Sequence, residues 1–213
     1  MKPQDLKNLI QTGESHYLEF KKTTPHPGKI VREINAFTNS KGGTLLIGVG
    51  DDKSITGINE FYEEEYLLRK AAEELCVPSV KLKIELVHLP EKDVMVVTVP
   101  EAIKKPVYVK NKLKRLVYVR RHDESVLASD ERIEILKHKS SDEGVTFEYG
   151  ENEQRLFRYL NEYGEITVAD YAHLINRTSY SASRILIKLV SAGVLNLFTR
   201  NEVDYYTFSG NIK

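Results

Sequence analysis

Apolar side chains recur along this chain in two styles, separated by a polar stretch near residues 140–150. Leu6, Leu9 and Ile10 fall at helical spacing and predict a short helix over 3–12 that Gly13 stops. Leu18 and Phe20 alternate with Tyr17, Glu19 and Lys21, which reads as a strand with a surface Glu19–Lys21 ion pair. A loop with two prolines follows. Ile30, Ile34 and Phe37 then line a helix that Gly42 and Gly43 end. Residues 44–49 are apolar at almost every position, as in a central strand covered on both faces. The pattern continues with a return strand at 54–58, an acidic helix at 60–75 and a hairpin of strands at 80–89 and 94–99. A second hairpin, 107–110 with 116–120, turns at Asn111-Lys112. A helix over 129–139, capped by Ser129, closes this unit.

Beyond the break the spacing changes. Helices are predicted at 151–163, 167–175 and 179–192, with a short strand or turn at 164–166 and a turn at 176–178. Strands at 195–199 and 205–209 follow. Helix, short strand, helix, turn, helix and two-stranded wing is the order of a winged helix-turn-helix. The expected division is therefore a first domain at 1–140, a linker at 141–150 and a winged helix-turn-helix domain at 151–213.

Composition narrows the setting. The 213 residues are 41% hydrophobic and 29% charged, as in an ordinary globular protein. Net charge is zero, so any attraction to nucleic acid must come from local patches. The single cysteine, Cys76, reads as a small buried apolar group in a reducing compartment. No apolar run approaches the ~20 residues that span a bilayer, and the N-terminus lacks a signal-peptide core. These features point to a cytoplasmic protein with no membrane partner.

Candidate chemistry concentrates in 14–57 and 101–122. Glu14, Glu19, Asp51 and Asp52 are carboxylates of the kind that hold Mg²⁺ or Mn²⁺ beside a phosphodiester; the alternative for Asp51-Asp52 is a solvated turn. No phosphate-binding loop is present, because Gly43 and Gly48 are followed by Val49 and Gly50 rather than Lys and Ser or Thr. Gly48 and Gly50 instead suit close backbone approach. His16 has no second histidine at ligand spacing. Between Glu101 and His122 eight basic residues face one acid, a local balance of +7, with Tyr108 and Tyr118 interleaved. Such a hairpin can track a phosphate backbone, or it can be a lysine-protected sheet edge. On the helix at 179–192, Ser181, Arg184 and Lys188 share one face near Arg177 and Tyr180, which suits major-groove contact. Residues 150–213 nevertheless balance seven basic against seven acidic side chains. A contact or dimerisation role is the alternative there.

The segments E-S-H-Y-L-E-F-K, A-F-T-N-S-K-G-G and L-L-I-G-V, with the later K-P-V-Y-V-K and V-Y-V-R, resemble the Schlafen AlbA_2 family over about residues 5–138. The resemblance implies a mixed-sheet α+β domain that often works as a pseudo-dimer or homodimer. Bacterial members look like transcriptional regulators, many with a C-terminal winged helix. Some relatives are ribonucleases that use three carboxylates, corresponding here to Glu14, Glu19 and Asp51 or Asp52. Two positions depart from that pattern. Gly50 stands where the family has its aspartate, and Arg120-Arg121-His122-Asp123 replaces R-x-G-[ST].

Together these readings favour a DNA-binding regulator over an enzyme, with DNA preferred to RNA and a homodimer as the working form. Lys21, Lys22, Arg32, Lys41, Lys104, Lys105, Lys112, Lys114, Arg120 and Arg121 are the expected phosphate contacts of the first domain. Arg177, Ser181, Arg184 and Lys188 are the expected readout. No cofactor is expected under that reading. The alternatives are a Mg²⁺- or Mn²⁺-dependent endoribonuclease on Glu14, Glu19 and Asp51, and a non-catalytic dimerising module.

Overall fold

The structure is a computed structural model that describes residues 1–111, 115–141, 146–147 and 149–210. It divides into two compact units, Met1–Ala128 and Ser129–Lys213.

The first unit is built on a mixed four-stranded sheet of order β1-β2-β5-β4. Its strands are β1 (Leu18–Lys21), β2 (Gly43–Ile47), β4 (Lys83–His88) and β5 (Asp93–Val99). β1 runs parallel to β2, and β5 lies antiparallel to both β2 and β4. The parallel step needs a crossover, which helix α2 (Pro27–Asn39) supplies. β2 is covered on both faces, as its unbroken apolar run requires. Leu45 and Ile47 pack with Ile30, Ile34 and Phe37 of α2. Leu46 packs with Phe20 and with Leu6 and Ile10 of helix α1 (Pro3–Thr12). Just past β2, Gly48 adopts φ +97°, and a Cβ there would stand 2.9 Å from the Gly57 carbonyl carbon. Close backbone approach is thus its role, as the sequence suggests.

Three local expectations change. The acidic helix is α-helical over α3 (Phe61–Arg69) and continues as a π-helical stretch over Lys70–Leu75. The return strand at 54–58 reduces to a single bridge between Val49 and Ile55. The second hairpin does not form as a ladder. β6 (Tyr108–Val109) pairs with β3 (Cys76–Val77), and β7 (Tyr118–Arg121) pairs with β8 (Glu124–Leu127). Among the described residues only a Val109–Leu116 bridge joins the two halves. The reason lies on α2. Asn39 Oδ1 accepts the Val107 amide at 2.7 Å and Asn35 Oδ1 accepts the Tyr118 amide at 2.8 Å. Asn39 Nδ2 also donates to the Val107 and Tyr118 carbonyls. Two buried side chains therefore take the backbone groups that a ladder would have used.

The second unit contains α4 (Asp130–Lys139), α5 (Glu151–Tyr163), α6 (Val168–Ile175), α7 (Ser179–Ser191) and the antiparallel pair β9 (Leu195–Arg200) and β10 (Val203–Phe208). Ile166 bridges to Tyr206. Thr178 caps α7 by accepting the Ser181 amide at 3.3 Å. Asn201 and Glu202, at φ 50° and 63°, make the tight turn of the β9–β10 hairpin. The sequence pattern groups α4 with the first domain. Its one buried apolar residue, Ile135, instead joins the core of Leu156, Tyr171, Leu186 and Tyr206.

Candidate functional site

Of the family-implied carboxylates, Glu19 belongs to an ion network and Glu14 to the backbone of the same strand. Glu14 Oε1 accepts the Phe20 amide at 2.8 Å, which fastens the entry to β1. Glu19 is 7% exposed, not a surface residue. Lys21 Nζ donates to its Oε1, and Arg120 Nη1 donates to its Oε2 at 3.0 Å. Arg120 also donates to Glu33 Oε2 at 3.1 Å, to Ser125 Oγ at 3.0 Å, and to the Ser15 and Asp123 carbonyls at 2.8 Å each. Its guanidinium lies 4.5 Å from the centre of the Phe37 ring. Burial lifts the Glu19 carboxyl above its ordinary value, with Lys21 and Arg120 pulling the other way.

Asp51 and Asp52 are exposed beyond β2. Asp52 Oδ1 accepts the Ser54 amide at 3.1 Å and the Ser54 hydroxyl at 2.6 Å. These bonds hold its carboxyl below the ordinary value and make the turn that the bland sequence reading describes. Among the described residues no three His, Cys, Asp or Glu side chains gather as a metal site would need. Both Glu19 oxygens face cations and Glu14 is spent on an amide. The residues present do not fit the divalent cation that the resemblance implies for Glu14, Glu19 and Asp51.

The expected phosphate contacts separate into several groups. Arg120 drops out, because its side chain is fully buried among carboxylates. Lys21 belongs to the same network. Lys105 is turned inward to the Ser40 carbonyl and to Glu101. Arg121 pairs with Glu124 at 2.9 Å. Lys22, Arg32, Lys41 and Lys104 are exposed, although Lys41 stands 3.7 Å from Glu101. Lys112 and Lys114 lie outside the described residues. Among the described residues of the first unit, two exposed guanidiniums are set against tyrosine rings: Arg32 at 5.9 Å from Tyr118 and Arg115 at 5.4 Å from Tyr108.

In the second unit Arg177, Arg184 and Lys188 are exposed and Ser181 is half-buried in the first turn of α7. Arg184 donates to the Tyr180 hydroxyl at 3.1 Å. Tyr180, Arg184 and Lys188 line one side of a groove of about 740 Å³, and Asp130, Glu131 and Glu134 of α4 line the other. The basic face of α7 is thus bordered by acids, a juxtaposition hidden in the sequence because α4 lies some 50 positions earlier.

Sequence reasoning passed over Glu33, Asn35, Asn39 and Ser125. A signal existed for Glu33. It sits on the apolar ridge of α2, three after Ile30 and four before Phe37, where a charge must find a buried partner. For Ser125 no signal exists.

The model of the family described as Schlafen, AlbA_2 matches residues 14–129. No curated protein matches the chain. Among solved structures, the N-terminal domain of a RecG-related protein from Nitrosomonas europaea is similar at 20% identity and a TM-score of 0.43. That likeness covers 61% of this chain and 92% of that one. The DIP2311 protein from Corynebacterium diphtheriae is similar at 13% identity and a TM-score of 0.46. There the likeness covers 91% of this chain and 34% of that one.

Proposed function

The chain belongs to the Schlafen AlbA_2 family, and on that premise we propose that it binds nucleic acid by its phosphate backbone, as a DNA-binding transcriptional regulator. One observation carries the reading. In the segment from Glu101 to His122, and beside it on α2, exposed guanidiniums rest against tyrosine faces, Arg115 on Tyr108 and Arg32 on Tyr118. A ring under a guanidinium limits its rotamers while leaving its donors open to an anion. Lys22, Lys104 and Lys110 add exposed positive charge to the same unit.

The second unit reads as a winged helix-turn-helix, with α7 as the reading helix and β9–β10 as the wing. Arg177, at the turn before α7, is exposed and is not among the residues that line the acid-bordered groove. Cleavage of RNA by Glu14, Glu19 and Asp51 or Asp52 finds no comparable support, since Glu19 is held by Arg120 and Lys21.

A filter-binding titration of the full chain against duplex DNA over a range of salt tests the proposal. The expected result is a linear fall of log affinity with log salt concentration. Absence of binding, or binding indifferent to salt, overturns it.

A further inference from the structure

Among the described residues Ile103 is the most exposed large apolar side chain, at 94%. The chain is fastened on both sides of it. The Ala102 amide donates to the Thr38 carbonyl at 2.9 Å, and the Val107 amide donates to Asn39 Oδ1 at 2.7 Å. Lys105 Nζ donates to the Ser40 carbonyl and, at 2.6 Å, to Glu101 Oε1. Three successive residues at the end of α2 thus fix a loop whose tip holds an isoleucine out in water. Exposed cations flank it, Lys104 next in the chain and Lys41 next after Ser40. The one acid of the loop, Glu101, is met by Lys105 and lies 3.7 Å from Lys41. The loop also adjoins the proposed phosphate-binding surface. Val107 leads into Tyr108, against whose ring Arg115 rests. Asn39, which anchors Val107, also bonds the carbonyl of Tyr118, whose ring carries Arg32. Four residues of chain reach at most about 14 Å, which places Ile103 within that distance of Val107. Isolated apolar side chains are ordinary on a surface. One held out on a fixed loop, among cations that serve phosphates, is not.

We propose that Ile103 enters the minor groove of bound duplex DNA and wedges into a base step there, an inference that rests on the nucleic-acid reading of the first unit. Phosphates give an isoleucine nothing, so on this surface its apolar area leaves water only by reaching the bases. The minor groove, about 6 Å wide, takes a single side chain between two walls of phosphate, which Lys41 and Lys104 meet. The major groove is about twice as wide and is filled by a helix or a two-stranded ribbon. An apolar wedge partly unstacks the step and kinks the duplex. Pyrimidine–purine steps such as TA yield most easily, so the wedge gives the chain a preference for deformable DNA without any hydrogen bond to a base. A lipid surface is the poorer match, because one isoleucine is too little apolar area to hold a protein on a bilayer.

The test uses the full chain and short duplexes in which 2-aminopurine, a base that brightens when unstacked, replaces the adenine of a central TA or AA step. Binding of the parent raises the fluorescence, and more so at the TA step. Ile103→Ser, folded by far-UV circular dichroism, still binds with the parent's dependence on salt but loses the rise and the preference for TA. Its affinity for the TA duplex falls by about tenfold, the scale of one lost step contact. Ile103→Leu restores all three. A parent that binds with the expected salt dependence and leaves the fluorescence flat overturns the wedge and leaves the phosphate reading standing. A serine variant as bright as the parent also overturns the wedge. A parent that binds no duplex overturns both. Co-sedimentation with phosphatidylserine vesicles that depends on Ile103, with no fluorescence rise on DNA, overturns the wedge in favour of a lipid surface.

Discussion

Arg120 Nη1 stands 3.0 Å from Glu19 Oε2, although 101 positions separate the two residues. This contact joins the first strand of the sheet to the β7–β8 hairpin, and Glu33 adds helix α2 to the same guanidinium. It turns a conspicuous sequence motif into a structural clasp.

Removing the cation from that clasp leaves two inward-facing carboxylates without their partner. Arg120→Ala is expected to destabilise the first unit by about 3–5 kcal/mol, the usual penalty for breaking one side of a buried pair. Arg120→Lys is expected to fall between, because an ammonium cannot fork to carboxylates and carbonyls together. Urea denaturation followed by circular dichroism measures both. Equal stability of the alanine variant and the parent would remove the clasp as an explanation.

Asn39 is the second anchor of α2. Its side chain bonds both backbone groups of Val107 and the carbonyl of Tyr118. Asn39→Ala leaves the buried Val107 amide unmet and is expected to cost about 2–3 kcal/mol, near the upper range for a stranded buried donor. Hydrogen exchange gives a sharper reading, with the Val107 amide losing protection before those of β2 and β5, while the Tyr118 amide is still held by Asn35.

Gly43 opens β2 directly beneath a ring. A Cβ built there stands 2.2 Å from Phe37 Cδ1, and Phe37 is fully buried. Gly43→Ala is expected to destabilise by at least ~1–3 kcal/mol through overpacking. Pairing it with Phe37→Leu should recover part of the loss. Additive losses in that double mutant would show that the ring is not the obstacle.

On the proposed phosphate-binding surface, Arg32→Ala and Arg115→Ala are each expected to weaken DNA binding across unrelated sequences. Each should lower the slope of log affinity against log salt by about one. Arg120 variants that remain folded should leave that slope unchanged. A slope that responds to Arg120 and not to Arg32 or Arg115 would reverse the assignment.

Cys76 supplies a pH dependence. Burial pushes its thiol from 9.0 up to about 12, with a hydrogen bond from Asn35 working against the shift. The folded chain therefore keeps this proton to higher pH than the unfolded chain. The stabilisation is whole below 9.0 and is lost as pH rises towards about 12. Cys76→Ala should flatten that part of the stability profile. At about pH 8 a thiol reagent should label Cys76 no faster than the protein opens.

Much of this was legible in the chain. The unbroken apolar run 44–49 announces a strand covered on both faces, because only burial on both sides removes the need for alternating polar residues. Gly48 is explained by close approach, as its context suggests. The helix-rich second half is equally readable from its period and its turns. The 107–120 hairpin misled because a two-strand pattern does not say which strands pair. That choice was made by Asn35 and Asn39, whose competing bonds come from a helix about 70 residues earlier.

By itself the sequence determined the order of the helices and of the main sheet strands, the central strand, the family motifs and the local excess of positive charge, since each depends on neighbours within a few positions. Only the tertiary structure decided what the charges do. It buried Glu19 and Arg120 together, left Arg32 and Arg115 open on tyrosine rings, and set the acids of α4 against the bases of α7. Charge acts through distance in space, and residues 101 or 50 positions apart along a chain acquire that distance only on folding.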